Sequence, residues 1–244
     1  LTIFAIFVAF AIYGVLAAFQ SSLDAPATGP QVRRLVSTNK INFTQPLPYS
    51  YYEKIRALPE VKTATHASWF GGYYQERKNF LIAFAVDPES YLAAYTEFQM
   101  PEEARKAFVS DRQAILVGKP VADRYGFKVG DRIPLKSDIF FKKDRSDTYE
   151  FNVVGIFTTN DVPGGDDQVV FNYAYFNEAR AFGTDSIGQV IVDPKDPSKN
   201  DALAQKIDAL FANSRLSINR RARSLATARE SCGMRAAGVL SRGE

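Results

Sequence analysis

The sequence predicts an α+β body preceded by one apolar helix, and three observations carry that prediction. The chain begins with nineteen uncharged residues, LTIFAIFVAFAIYGVLAAF. Strand-like and helix-like stretches then follow one another without the regular alternation of a doubly wound sheet. Hydrophobic residues make up 46% and aromatic residues 13% of the 244 positions, which suits a packed core and not a disordered chain.

The opening run comes first. Nineteen helical residues span about 28 Å, close to the ~30 Å hydrocarbon core of a bilayer. The apolar part of a signal peptide is shorter, about 7–15 residues, and ends in a small-x-small cleavage site; Ala17, Ala18 and Gln20 match that poorly. Residues 1–20 are therefore expected to form a transmembrane helix. The sequence has no initiator Met and reads as starting inside a longer frame, so the charged flank that would set orientation is missing. Residues 21–31 (SSLDAPATGPQ) are small, polar and proline-bearing, the composition of a linker.

The folded body is expected over 32–213. A short strand is predicted around Arg33–Ser37. LPYSYYEKIRALPEV reads as a helix over 50–58, with Ser50 and Glu53 at capping-box spacing, Ile55 and Leu58 facing inward, and Pro59 ending it. Val61–Trp69 and Phe80–Val86 are predicted strands, joined across Gly71 and Gly72 by a hairpin or a longer protruding turn. Pro88–Tyr95 and Pro101–Phe108 read as short helices opened by proline. Ala114–Val117 reads as a buried strand, Pro120–Tyr125 as a helix stopped by Gly126, and Arg132–Leu135 and Tyr149–Thr158 as strands. Phe176–Phe182 is expected to be helical, Gln189–Val192 a strand and Asn200–Phe211 an amphipathic helix. The economical arrangement is two outer strand–helix units flanking an inserted segment at about 87–158.

Charge excludes one class of partner. From Arg215 onward stand seven Arg, no Lys and two Glu, a local +5, which leaves the rest at −2. The body is thus nearly neutral and has no nucleic-acid footprint. Residues 214–244 also lack aromatics. They read as an atypical basic tail, either natural and disordered or artefactual, as an out-of-frame stretch would be, and no role is assigned to Cys232. That single cysteine excludes an internal disulfide, and the single histidine, His66, excludes a two-His zinc site.

Few residues suggest chemistry. Gly118-Lys119 resembles a phosphate loop, but the motif needs Gly at 113 and Ser or Thr at 120, where Gln and Pro stand. ATP binding by this chain is therefore not expected. His66 reads as a packed or surface residue. Asp161, Asp166 and Asp167 read as a solvated turn and not as a calcium site, which needs six to eight oxygens at fixed spacing. Trp69, Phe70, Tyr73 and Tyr74 surround the double glycine: exposed, they would present an apolar contact surface for a partner or ligand; folded inward, they would be ordinary core. No catalytic, cofactor-binding or metal-binding residues are predicted.

The uncharged first helix, YEKIRALPEV, WFGGYYQERKNF, LVGKPVADRYGFKVGDRIPL and FNVVGIF together resemble the MacB/FtsX-like ABC transporter permeases, and in particular their MacB-like periplasmic core domain, over about 1–213. The resemblance implies a non-catalytic permease subunit of the bacterial inner membrane, with the body in the periplasm between the first and second of four membrane helices. It implies a porter-like strand–helix lobe carrying an inserted small β-rich lobe. It also implies ATP hydrolysis on an ABC-type ATPase partner, a second permease copy or homologue, and a periplasmic adaptor, serving efflux, lipoprotein release or signalling. Two other readings stay open: a singly anchored extracytoplasmic binding or sensor domain, and a secreted hydrolase, for which one His and no supporting motif are a poor basis.

Overall fold

The structure, a computed structural model, describes residues 34–39, 45–159, 164–212 and 216–219. The expected membrane helix at 1–20, the linker at 21–31, Asp161 and the tail after 219 lie outside them. Among the described residues no helix is long and apolar enough to cross a membrane.

In chain order the elements are β1 (Leu35–Asn39), β2 (Leu47–Pro48), α1 (Tyr49–Arg56), β3 (Val61–Trp69), β4 (Gly72–Tyr74), β5 (Phe80–Leu81), β6 (Ala83–Val86), α2 (Pro88–Ala94), β7 (Phe98–Gln99), α3 (Glu102–Ser110), β8 (Ala114–Gly118), α4 (Lys119–Tyr125), β9 (Arg132–Ser137), β10 (Thr148–Thr159), β11 (Val169–Asn172), α5 (Tyr173–Ala179), β12 (Ser186–Ile187), β13 (Gln189–Pro194), α6 (Asn200–Leu210) and β14 (Leu216–Asn219).

Local chemistry explains several boundaries. The Asp87 carboxylate accepts from Ser90 N at 3.1 Å and caps α2, whose first residue is Pro88. Gly126 takes φ +72° and closes α4 in the left-handed cap. The capping box expected at α1 is absent: Pro48 holds the cap position without a side-chain bond, and Ser50 lies inside the first turn. Tyr49 N donates instead to Asp185 O at 2.8 Å. Tyr52 and Ile55 are buried, and Leu58 packs half-buried beside them. α5 begins three residues before the expected start, because Asn172 Oδ1 accepts from Ala174 N at 2.8 Å. It ends at Ala179, so Phe182 projects from a loop.

One sheet carries the fold, in the order β14-β1-β13-β3-β6-β11-β8-β10-β9-β4-β5, with β7 added beside β10. β6–β11 and β8–β10 are parallel, and the other pairs along the path are antiparallel. β3 joins the two halves, pairing with β13 along most of its length and with β6 through Ala67–Trp69. The sheet continues across position 87: β8 and β10, from the 87–158 segment, reach β6 through β11. β11 was not predicted, although its four residues are all buried. β14 pairs with β1 from Val36↔Asn219 to Asn39↔Leu216, so the folded body runs past position 213, where the tail was expected to begin.

Both sheet faces are covered. Ile115, Val117, Val169 and Phe171 enter one apolar cluster with Tyr52, Ile55, Val121, Phe176, Leu203 and Ile207. Their neighbours Ala114, Leu116 and Val170 enter the other, with Tyr91, Leu92, Phe108 and Phe157. Strands buried on both faces read as unbroken apolar runs, as AILV and VVF do here.

Candidate functional site

The four aromatics around the double glycine do not form one exposed patch. Phe70 is fully buried, edge-on to Tyr149, Phe171 and Phe176. Tyr73 is buried, and its hydroxyl donates to Asp138 Oδ1 at 3.4 Å. Tyr74 is half-buried against Tyr125 and Phe127. Phe70 and Tyr73 thus take the inward alternative, and Trp69 lines a cavity wall. Trp69 and Phe70 are successive residues of an extended run and face opposite sides of the sheet, so Phe70 enters one apolar cluster and Trp69 stands on a wall against the other, before Gly71, at φ +62°, turns the chain toward β4.

That wall belongs to a cavity of about 520 Å³, lined chiefly by Trp69, Ile139, Phe140, Phe182, Arg180 and Ser186. Phe140 and Phe182 stack at 6.0 Å, and Phe80 lies against Trp69 at 5.7 Å. Ile139 and Phe182 are 47% and 52% exposed, so apolar surface continues from the cavity to its mouth. The volume falls within the range of about 300–1,000 Å³ usual for small-molecule sites.

Arg180 is the unusual member, with 1% of its surface exposed. Its guanidinium lies over Phe176 at 4.7 Å and Tyr173 at 5.6 Å. Nη2 donates to Asn177 Oδ1 (2.5 Å), Ser186 O (2.9 Å) and Tyr173 OH (3.2 Å), all neutral acceptors, and the buried Nε has no hydrogen-bond partner. Burial pushes the Arg180 pKa down and raises that of the neighbouring Tyr173 hydroxyl to about 12. Nothing in the sequence singled out Arg180. Its only signal is that a cation follows directly on the apolar face of α5.

On the other side of Tyr173, His66 is buried and ringed edge-on by Tyr49, Tyr52 and Tyr173 at 4.6–5.4 Å, with Nδ1 unpartnered. Burial holds its pKa down at about 4. Of the acidic turn, Asp167 pairs with Arg124 at 3.1 Å. Lys119 pairs with Asp123 one helical turn on. Among the described residues no group of three or more His, Cys, Asp or Glu could hold a metal ion.

Where the chain enters the body, Arg34 is buried and grips Glu97 through both nitrogens of its fork, while Nη1 also donates to Ala94 O at 2.8 Å. The same guanidinium stacks 4.0 Å over Tyr95.

Comparison with known families decides what this body is. The profile of the MacB-like periplasmic core domain matches residues 2–210. The chain belongs to that family. As a member it carries the MacB-like periplasmic domain of an ABC transporter permease. Two solved structures share its fold. The periplasmic region of MacB from Actinobacillus actinomycetemcomitans is 10% identical, with a TM-score of 0.52, over 82% of this chain and 92% of that one. The extracellular domain of the noncanonic ABC-type transporter YknZ from Gram-positive bacteria is 9% identical, with a TM-score of 0.53, over 76% and 99%. No curated protein matches the chain. In the MacB-like body described here, the cavity sits at the end of β3, between the loop after β9 and the segment that links α5 to β13.

Proposed function

We propose that the chain is a permease subunit of an export-type ABC transporter: anchored in the inner membrane by residues 1–20, with its body outside the cytoplasm, and without catalysis of its own. ATP is hydrolysed on a separate ABC-type ATPase, and the body turns that cycle into work outside the membrane, beside a second permease copy or homologue and a periplasmic adaptor. The two-lobe plan, with a porter-like strand–helix lobe and an inserted β-rich lobe, belongs to the same reading.

One observation carries the proposal beyond family membership. The first and last described strands are antiparallel neighbours, with Val36 opposite Asn219. The chain therefore enters and leaves the body at one place, as a domain set between two consecutive membrane helices requires. The buried Arg34–Glu97 grip at that place stiffens the junction, and only a stiff junction passes movement on.

Purification of the full-length protein from native membranes in mild detergent tests this. It is expected to bring down an ATPase with a Walker motif, and transport activity is expected to require its ATP hydrolysis. A protein that purifies alone and works without nucleotide is instead a singly anchored binding or sensor domain.

A further inference from the structure

The cavity behind Trp69 combines two features that usually exclude each other. Its walls are apolar, and the apolar surface extends outward: Ile139 and Phe182 line the mouth, Phe80 packs on Trp69, and Phe141 follows Phe140, with its carbonyl accepting from Ala181 N at 2.8 Å. These four are among only seven large apolar side chains that are exposed among the described residues. Solvated surfaces rarely gather them, and a gathered patch that deepens into a cavity marks a binding site.

The second feature is the cation set into the same wall. A buried guanidinium is normally neutralised by a carboxylate, because an unpaired charge in an apolar setting is costly. Arg180 meets only neutral acceptors and two aromatic faces, and its Nε has no partner. The nearest acid in its network, Asp185, is one side chain removed: Asn177 Nδ2 donates to Asp185 Oδ1 at 3.1 Å. The site is thus short of one negative charge, in a wall shared with apolar side chains.

We propose that this cavity binds a small amphiphile with an anionic head group, its tail against Trp69, Phe140 and Phe182 and its head drawn to the Arg180 guanidinium. The position of charge and apolar surface sets the selectivity. A neutral head leaves Arg180 as it is, and a cationic head is repelled.

Trp69 is the sole tryptophan of the chain and stands in the cavity wall, so its fluorescence reports occupancy directly. The full chain in phosphatidylcholine vesicles, which contribute no tryptophan, is titrated with brominated dodecanoate, with brominated dodecanol and with a brominated dodecyl trimethylammonium salt. Saturable quenching by the carboxylate is expected, at least about tenfold tighter than by the other two, the worth of one charge-assisted hydrogen bond. Arg180→Gln should remove that preference while leaving residual tail binding. Phe182→Glu, at an exposed position where folding is not at risk, removes tail surface and adds a repelling carboxylate, and should weaken the carboxylate more than about tenfold and the alcohol, which loses only the tail contact, by less. Equal quenching by all three probes, the absence of saturable quenching, or carboxylate binding unmoved by Phe182→Glu overturns the proposal. None of these outcomes bears on whether an ATPase partner exists, because the titration needs none.

Discussion

Gly118 shows what a single residue does in this fold. A Cβ there would stand 1.5 Å from Asp166 O, because the 164–168 segment crosses directly over the end of β8, and Gly118 N donates to Gln168 O at 2.9 Å. The glycine that resembles part of a phosphate loop is thus a packing requirement. Gly118→Ala is expected to cost about 1–3 kcal/mol in urea denaturation, the range of overpacked interiors. His66 makes a second residue-scale prediction. Its pKa is held down at about 4 by burial, against ~6.5 when unfolded. The folded protein keeps it neutral while the unfolded chain takes up a proton, so stability falls as pH drops from about 6.5 to 4, by up to about 1.4 kcal/mol per unit, and levels off below. His66→Gln should flatten that part of the stability–pH curve relative to the parent. The sequence already favoured a packed or surface role for His66. It could not show that Phe70 is fully buried while Trp69 stays on a wall, because both sheet faces are covered and alternation alone does not say which is the more open. Arg180 was illegible for a related reason: an arginine after a helix ordinarily faces water.

At the scale of elements, most helices and strands were readable and the errors are instructive. Strands with proline or glycine punctuation, such as β3, β8 and β9, came out within two residues. β11 was missed because its four residues follow a Pro-Gly-Gly loop and run directly into α5 without a turn. The α1 cap was misplaced because Tyr49 N finds a distant carbonyl, Asp185 O, which sequence spacing cannot reveal. The Gly of FNVVGIF has an element-scale role. A Cβ at Gly155 would lie 2.6 Å from Ala104 Cβ and 3.0 Å from Leu116 Cδ2, so its absence lets α3 lie on β10, beside the register shift between Val153 and Gly155. Gly155→Val should lift α3 off the sheet, lowering stability by about 2–3 kcal/mol and speeding amide exchange in α3 more than in α6.

The whole molecule depends on how its ends are fastened. Glu97→Gln leaves the buried Arg34 without its counter-charge, and removing one partner of such a pair costs about 3–5 kcal/mol. Ala94 O and the Tyr95 ring still hold the guanidinium, so the lower end is expected in thermal or urea unfolding. The double change Arg34→Met with Glu97→Leu should cost less than Glu97→Gln alone, and a loss at least as large would show that the pair is not what anchors the chain there. The continuous sheet was the least legible feature at this scale. The sequence placed an insert at about 87–158, and two strands of that segment, β8 and β10, join the sheet through β11.

If the body moves as proposed, the force enters at one margin, through β1 and β14. The sheet path bends back on itself: a single residue, Ile82, separates β5 from β6, so the last strand of the path lies beside a central one. Such a closed wrap resists shear between its strands, so a push on β1 and β14 would move the body as one piece.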